Sequence, residues 1–428
     1  MSFLRPRFPG ERALVSGIAV DAVGSGMYVP FSLVFFRHVT GLPLPLIGLV
    51  LTVTGLASIA AVPLVGIAVD RFGARTMQIS LYVLRGLSFA CFPLAHSLPA
   101  FVVVALFTSV GTRAFRPAQD ARLAELASGT DRDRLQALSR SLSNAGLGAG
   151  TMIASVVIAT AGDFGYTVTA WLNGASFVAA GFLASRTPPA PPRDRVAPRT
   201  RSGGYRVVAK DRPFLGLVCA NLCVALGFSA LTSLLPLYAT GLLDLPDGLV
   251  GSAFLLNTVL CATLGVPVAA LSRRRFTTRT RAAAAGAALF SVAFIGQAAL
   301  GTVRPDGVPL LLTGLLAAVL VMTVGEMVYS PSSGALSQFA APQELRGRYL
   351  ATYQLSWSLA YALGPMVFTS LIAVDARLPW LLVATTAALG AAVLVRIERS
   401  LPAGAVSFAP VPAPAPAAPG KATTTAAE

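Results

Sequence analysis

LLLTGLLAAVLVMTVGEMVYSPSS, Leu310 to Ser333, is hydrophobic throughout its first fifteen residues apart from Thr313, Gly314 and Thr323. A carboxylate, Glu326, follows at once, and Pro331 stands five residues beyond it. A helix that crosses a bilayer needs about 20 predominantly apolar residues, and a run of this kind supplies them. The acid is the anomaly. It asks what surrounds a charge at that depth.

The rest of the chain belongs to the same solvent. Of its 428 residues 55% are hydrophobic and 12% charged, with a mean hydropathy of +0.70. Globular chains in water run at about 25% charged residues. So few charges cannot cover the surface of a soluble protein this long, and the lipid bilayer is the expected partner. Twelve segments read as spans: 13–36, 45–69, 77–96, 99–121, 138–161, 165–186, 213–240, 248–271, 282–302, 307–338, 349–373 and 379–397. The first is long, lacks a small-residue cleavage site and is followed directly by a second, so it is read as a span and not as a signal peptide.

The formal charge of +15 is not read as a nucleic-acid footprint, because the cations sit in short clusters between apolar runs. With both termini in the cytoplasm, all but six of the 33 lysines and arginines fall on the inner side. Arg37, Arg304 and Arg377 fall in outer loops, and Arg85, Arg113 and Arg116 fall within spans. That asymmetry is what the positive-inside rule requires. The expected location is the cell inner (plasma) membrane, with multiple passes.

The expected organisation is a six-helix half at 1–186, a cytoplasmic linker at 187–212, a second half at 213–398 and a tail at 399–428. The linker is rich in Pro, Gly and Arg and suits an anionic leaflet surface. The Pro/Ala-rich tail is expected to be disordered. Cys91, Cys219, Cys223 and Cys261 all lie in apolar runs and read as small buried hydrophobes. His38 and His96 stand singly near outer loops, so no metal and no cofactor is expected.

The halves repeat. An offset of 214 aligns Gly111 with Gly325, Pro117 with Pro331, Ala127 with Ala341, Arg132 with Arg346, Arg134 with Arg348 and Gly150 with Gly364. Duplicated halves with a site between them are a transporter pattern. Under this alignment Glu326 falls on Thr112, so the acid is particular to the second half.

GIAVDRFGAR, Gly66 to Arg75, stands between the second and third spans. It resembles the signature loop of the major facilitator superfamily at Gly66, Asp70, Arg71, Gly73 and Arg75, with Ala74 departing from the usual basic residue. SNAGLGAGTMIAS, Ser143 to Ser155, resembles the glycine-rich antiporter motif of drug–proton exchangers in that superfamily, with Thr151 where the motif has proline. The segment from Gly325 through Ala341, Pro342, Arg346, Gly347, Arg348 and Tyr349 resembles the tenth and eleventh helices of bacterial multidrug efflux members. The resemblance covers about residues 10 to 398. It implies an all-α integral membrane fold, twelve transmembrane helices in two six-helix halves around a central cavity. It also implies a gate latch at Gly66, Asp70, Arg71, Gly73, Arg75 and Asp120.

Asp21 lies about 12 Å along the first span and Glu326 about 18 Å from the inner end of the tenth, at 1.5 Å per residue. A lipid-facing acid would cost on the order of 3 kcal/mol. Each therefore needs water, a cationic partner or a proton, and the last makes both candidates for proton coupling; structural ion pairs are the alternative. The resemblance puts the first, fourth, seventh and tenth helices around the cavity, so Arg113 and Asn221 become substrate-binding candidates. Tyr28, seven residues from Asp21, shares its face. Tyr353 and Trp357, one turn apart, offer an aromatic wall, with ordinary helix packing as the alternative. Arg116 and Asp120, spaced i and i+4, read as a salt bridge that Arg71 also reaches. Arg113 can pair with an acid or bind an anion. Arg85 stays open.

No nucleotide loop, metal-ligand cluster or nucleophile–base set is evident in the sequence. The expected function is a monomeric secondary transporter, not an enzyme: proton-coupled efflux of small amphipathic molecules or drugs. The alternative is a same-fold carrier of a metabolite or organic anion.

Overall fold

The computed structural model describes residues 9–127, 129–188, 204–342 and 345–408. Some side chains inside helices, among them those of Gly66, Asp70 and Arg132, lie outside that description. Most of the expected linker and residues 409–428 of the expected tail also lie outside it.

Among the described residues, twelve helices are long and apolar enough to cross a membrane: Glu11–Thr40, Leu44–Ala61, Ala74–Leu94, Leu98–Leu123, Ser141–Ala161, Asp163–Ser185, Arg212–Ser233, Asp247–Arg275, Arg279–Val303, Val308–Ala340, Arg346–Ile372 and Leu378–Ser400. They are called the first to twelfth helices below. In a bilayer every backbone N–H and C=O must be satisfied within the segment, which leaves helices as the solution for apolar runs of this length. Ends are capped where the chain leaves that environment. Ser97, Asp211 and Thr278 side chains accept hydrogen bonds from the backbone N–H groups of Ala100, Phe214 and Arg281.

The repeat read from punctuation holds in packing. In the first half the first helix packs on the fifth and sixth, the third on the fourth and sixth, and the second on the fourth. In the second half the seventh packs on the eleventh and twelfth, the ninth on the tenth and twelfth, and the eighth on the tenth. Each pairing recurs six helices later. The matched glycines serve equivalent seams: Gly111 meets Arg85 of the third helix, and Gly325 meets Gly286 of the ninth. The opening helix of each half is also broken by a proline. Val29–Phe31 interrupts the first at Pro30, and the seventh restarts as Leu235–Gly241 around Pro236.

Two main seams join the halves, the second helix against the eleventh and the fifth against the eighth, with a smaller contact of Val29–Phe31 on the seventh. Gly48 and Gly55 lie against Pro365, Met366, Thr369 and Ala362, and Thr52 Oγ1 accepts from the Met366 N–H at 3.2 Å. Gly148, Gly248 and Gly251 lie against Thr258, Ala159, Met152 and Ser155. These contacts sit on the half of each helix away from the termini. We call that end the distal face and the other the terminal face. A cavity of about 600 Å³ opens on the distal face, lined from both halves by Arg37, Leu44, Leu237 and Ile372, remote from Glu326.

Two expectations change. Cys91 and Cys219 are exposed, because a chain dissolved in lipid has apolar positions on its outside as well as its inside. Residues 399–408 are not a loose tail. Ala403–Val406 forms a short helix with Ala405 and Val406 buried, and Ser407 bridges to Thr278.

Candidate functional site

Glu326 sits in the interior of the tenth helix, Val308–Ala340, which runs unbroken through Pro331. Its Oε2 accepts a hydrogen bond from Asn257 Nδ2 of the eighth helix at 2.9 Å. The same amide nitrogen lies 3.1 Å from Thr323 Oγ1, one turn before Glu326. The described donors to this carboxylate are therefore neutral. Cys261 of the eighth helix and Tyr361 of the eleventh stand within electrostatic reach of it. Asn257, Thr323 and Tyr361 were not singled out in the sequence. Asn257 lies within one helical turn of Cys261 on the eighth helix, a polar position in an apolar span that could have been noticed.

Asp21 has a different environment. Arg85 Nη1 of the third helix lies 3.2 Å from its Oδ1, with both side chains largely buried. Ser25 hydrogen-bonds Asp21 at 3.5 Å and accepts from Arg85 Nη2 at 3.4 Å. The guanidinium lies between Phe177, 3.8 Å from the ring centroid, and Phe115, at 4.7 Å. A planar cation between two π faces is well held. The acid and the third-helix arginine left open by sequence thus neutralise each other.

Arg113 pairs with neither acid among the described residues. It is half-buried, and its Nη2 approaches Gly55, which packs on Ala362. Arg116 is exposed and makes no described ion pair. It does lie within electrostatic reach of Tyr361 and Asp21. Asp120 is exposed and has an interaction of its own.

Three substrate candidates sit differently from the expectation. Tyr28 is 6% exposed and packs into a cluster with Phe35, Phe36, Phe89 and Phe92. The break at Pro30 turns it into the core of the first half. Asn221 is buried and forms a hub. Its Nδ2 donates to Ser356 Oγ at 2.7 Å, and its Oδ1 accepts from Tyr353 at 2.6 Å and Tyr329 at 3.0 Å. Ser333 also bonds Tyr353. Tyr353 is thus spent inside the second half. The exposed aromatic face is formed one turn on, where Trp357 stacks on Tyr361 at 6.4 Å and meets Phe228 edge-on at 5.0 Å.

At the terminal face, Gly73 joins the second and third helices with φ 84°, a backbone that only glycine adopts without strain. Arg75 donates to the carbonyls of Thr187, at 3.1 Å, and Ser185, at 2.5 Å, tying the end of the sixth helix. Arg71 is exposed over the ring of its neighbour Phe72. The Asp70 side chain lies outside the description. The group that caps the third helix is Glu125, which accepts from the Ala74 N–H at 3.3 Å and pairs with Arg122 at 3.0 Å. Arg122 is fully buried and donates to Thr187 Oγ1 and the Pro188 carbonyl. Neither residue was picked out from the motif. On the distal face His38 pairs with Asp163 at 3.3 Å, and His96 lies 3.3 Å from the Val39 carbonyl.

Fold and interior charges together define a membrane transporter built from two equivalent halves. The chain belongs to the Major Facilitator Superfamily, whose model matches residues 14–365. It is similar to the multidrug resistance protein MdtH of Edwardsiella ictaluri, 26% identical over 79% of this chain and 81% of that protein. It is also similar to the uncharacterized MFS-type transporter YdeE of Escherichia coli, 21% identical over 83% and 87%. Among solved structures it superposes on a bacterial homologue of the iron transporter ferroportin in its inward-facing state. That match has a TM-score of 0.73 at 15% identity over 91% and 98% of the chains. A D-xylose–proton symporter gives a TM-score of 0.69 at 16% identity over 90% and 97%. At these identities the structures speak for the fold alone.

Proposed function

We propose that this chain is a proton-coupled exporter of small amphipathic molecules, working by alternating access in the bacterial inner membrane with its termini in the cytoplasm. The observation that carries this is Glu326, a carboxylate in the interior of the tenth helix whose described donor, Asn257, is neutral. An acid without a fixed cation can gain and lose a proton as cargo comes and goes. Asp21 is paired with Arg85, which supports Glu326 over Asp21 as the coupling site. The contacts between halves on the distal side fit a state open toward the cytoplasm, where cargo enters. The similarity to MdtH, a multidrug resistance protein, supports the drug-efflux direction.

Everted vesicles test it. Added substrate should release protons from the parent and not from Glu326→Gln. Unchanged coupling and export in that variant would remove the reading. A carrier of organic anions is the second reading, favoured by Arg113 and Arg116, which make no ion pair among the described residues.

A further inference from the structure

Of the charged side chains on the first, third, fourth and tenth helices, not all are paired among the described residues. Asp21 and Arg85 cancel within the first half. Asp120 is engaged. Among the described residues that leaves Arg113 and Arg116 on the fourth helix and Glu326 on the tenth without an ion pair. Tyr361 lies between them, within reach of both Glu326 and Arg116. It adjoins Ala362, which with Gly55 forms the seam that the Arg113 guanidinium approaches. Beside it, Trp357 and Phe228 complete an aromatic surface.

From this juxtaposition we infer that the cargo is amphoteric: a flat aromatic body with a cationic group for Glu326 and an anionic group for the two arginines. The inference rests on the export reading above and names its substrate class. A purely cationic molecule would leave two guanidinium groups facing it, a like-charge arrangement that opposes binding. A purely anionic one would be repelled by Glu326 when ionised. A molecule carrying both groups satisfies each wall, and its flat body lies on the Trp357–Tyr361 stack. An arginine fork is suited to a carboxylate.

The test uses three matched probes: aminomethylnaphthalene, naphthoic acid and aminomethylnaphthoic acid. Equilibrium dialysis against the purified full chain measures each. The amphoteric probe is expected to bind about tenfold or more tightly than either singly charged one. Replacing both arginines, Arg113→Gln with Arg116→Gln, should weaken the amphoteric and acidic probes about tenfold and spare the amine. Glu326→Gln should weaken the amphoteric probe and the amine and spare the acid. Arg113→Lys and Glu326→Asp keep the charges and guard against misfolding; both should retain the ranking. An amine that binds as tightly as the amphoteric probe, an amphoteric probe indifferent to the arginines, or no amphoteric binding overturns the inference. Proton release reports separately. A chain with this ranking and no proton movement loses the coupling reading alone, and a coupled chain with no such ranking loses the substrate class alone.

Discussion

Removing the carboxylate of Asp21 should destabilise the first half, and the structure sets how much. Arg85 is 5% exposed, 3.2 Å from Asp21, and its other charged neighbours are few. Asp21→Asn leaves a buried guanidinium with neutral acceptors. Breaking a buried pair from one side typically costs about 3–5 kcal/mol. The sandwich between Phe115 and Phe177 survives the change, and a desolvated cation–π contact retains on the order of 2 kcal/mol for Arg85. The lower end, about 3 kcal/mol, is therefore expected. Equilibrium unfolding in mixed micelles reads it. Asp21→Asn combined with Arg85→Met removes both charges and should recover most of the loss, since apolar replacement of a buried pair is often neutral. The combined variant should also keep substrate-induced proton release. Two results would refute the reasoning: a single variant within about 0.5 kcal/mol of the parent, the scatter of ordinary surface changes, or a stable combined variant that has lost coupling. The second would return Asp21 to the proton path.

Other perturbations follow from single contacts. Arg122→Met strips partners from Glu125, Thr187 and Pro188, and should lower stability by about 3 kcal/mol in the same unfolding assay. Gly48→Val places a side chain where a Cβ alone would come within 2.6 Å of the Pro365 carbonyl. It should prop the distal seam apart and raise thiol labelling of a cysteine introduced at Leu237, with Gly265→Val, at a helical glycine that meets nothing within 4 Å, as a control. In the loop before the twelfth helix, Arg377 holds the Asp375 carboxyl down to about 2 by hydrogen bonding. A depressed carboxyl stabilises above its ordinary range and loses that contribution as pH falls through about 2, so the Asp375 carbon resonance should stay that of a carboxylate at pH 3.5, and Arg377→Gln should restore ordinary titration.

The spans, the repeat and the terminal-face loop were legible because each depends on spacing along one chain. Run length marks a helix in lipid, and matched Gly and Pro mark a copied frame. What sequence could not supply was rotation and pairing between helices. Tyr353 and Trp357 differ by about 40° around a helix at 3.6 residues per turn. A small turn of the eleventh helix decides which is spent on Asn221 and which faces the interior. The partner of Asp21 lies two helices away, and the partner of Glu326 lies on the eighth. Pairings of that kind are set by packing, so Arg85 stayed undecided and Asn257 unnoticed. Tyr28 went astray for a local reason: a helical face cannot be extrapolated through Pro30.

The two seams between the halves are made largely of Gly, Ala, Thr, Ser, Met and Pro, and two described hydrogen bonds cross between the halves, from Met366 to Thr52 and between Tyr166 and Asp247 at the distal end. The described ion pairs each lie within one half, among them Asp21–Arg85 in the interior, Arg122–Glu125 at the terminal face and His38–Asp163 at the distal face. Mostly small surfaces slide past one another with no ion pair between the halves among the described residues, so the barrier to rocking arises chiefly from van der Waals contact and lipid rearrangement. The switching rate should then respond to temperature and bilayer thickness while staying nearly constant with ionic strength. The residues that hold the halves together also make their separation cheap.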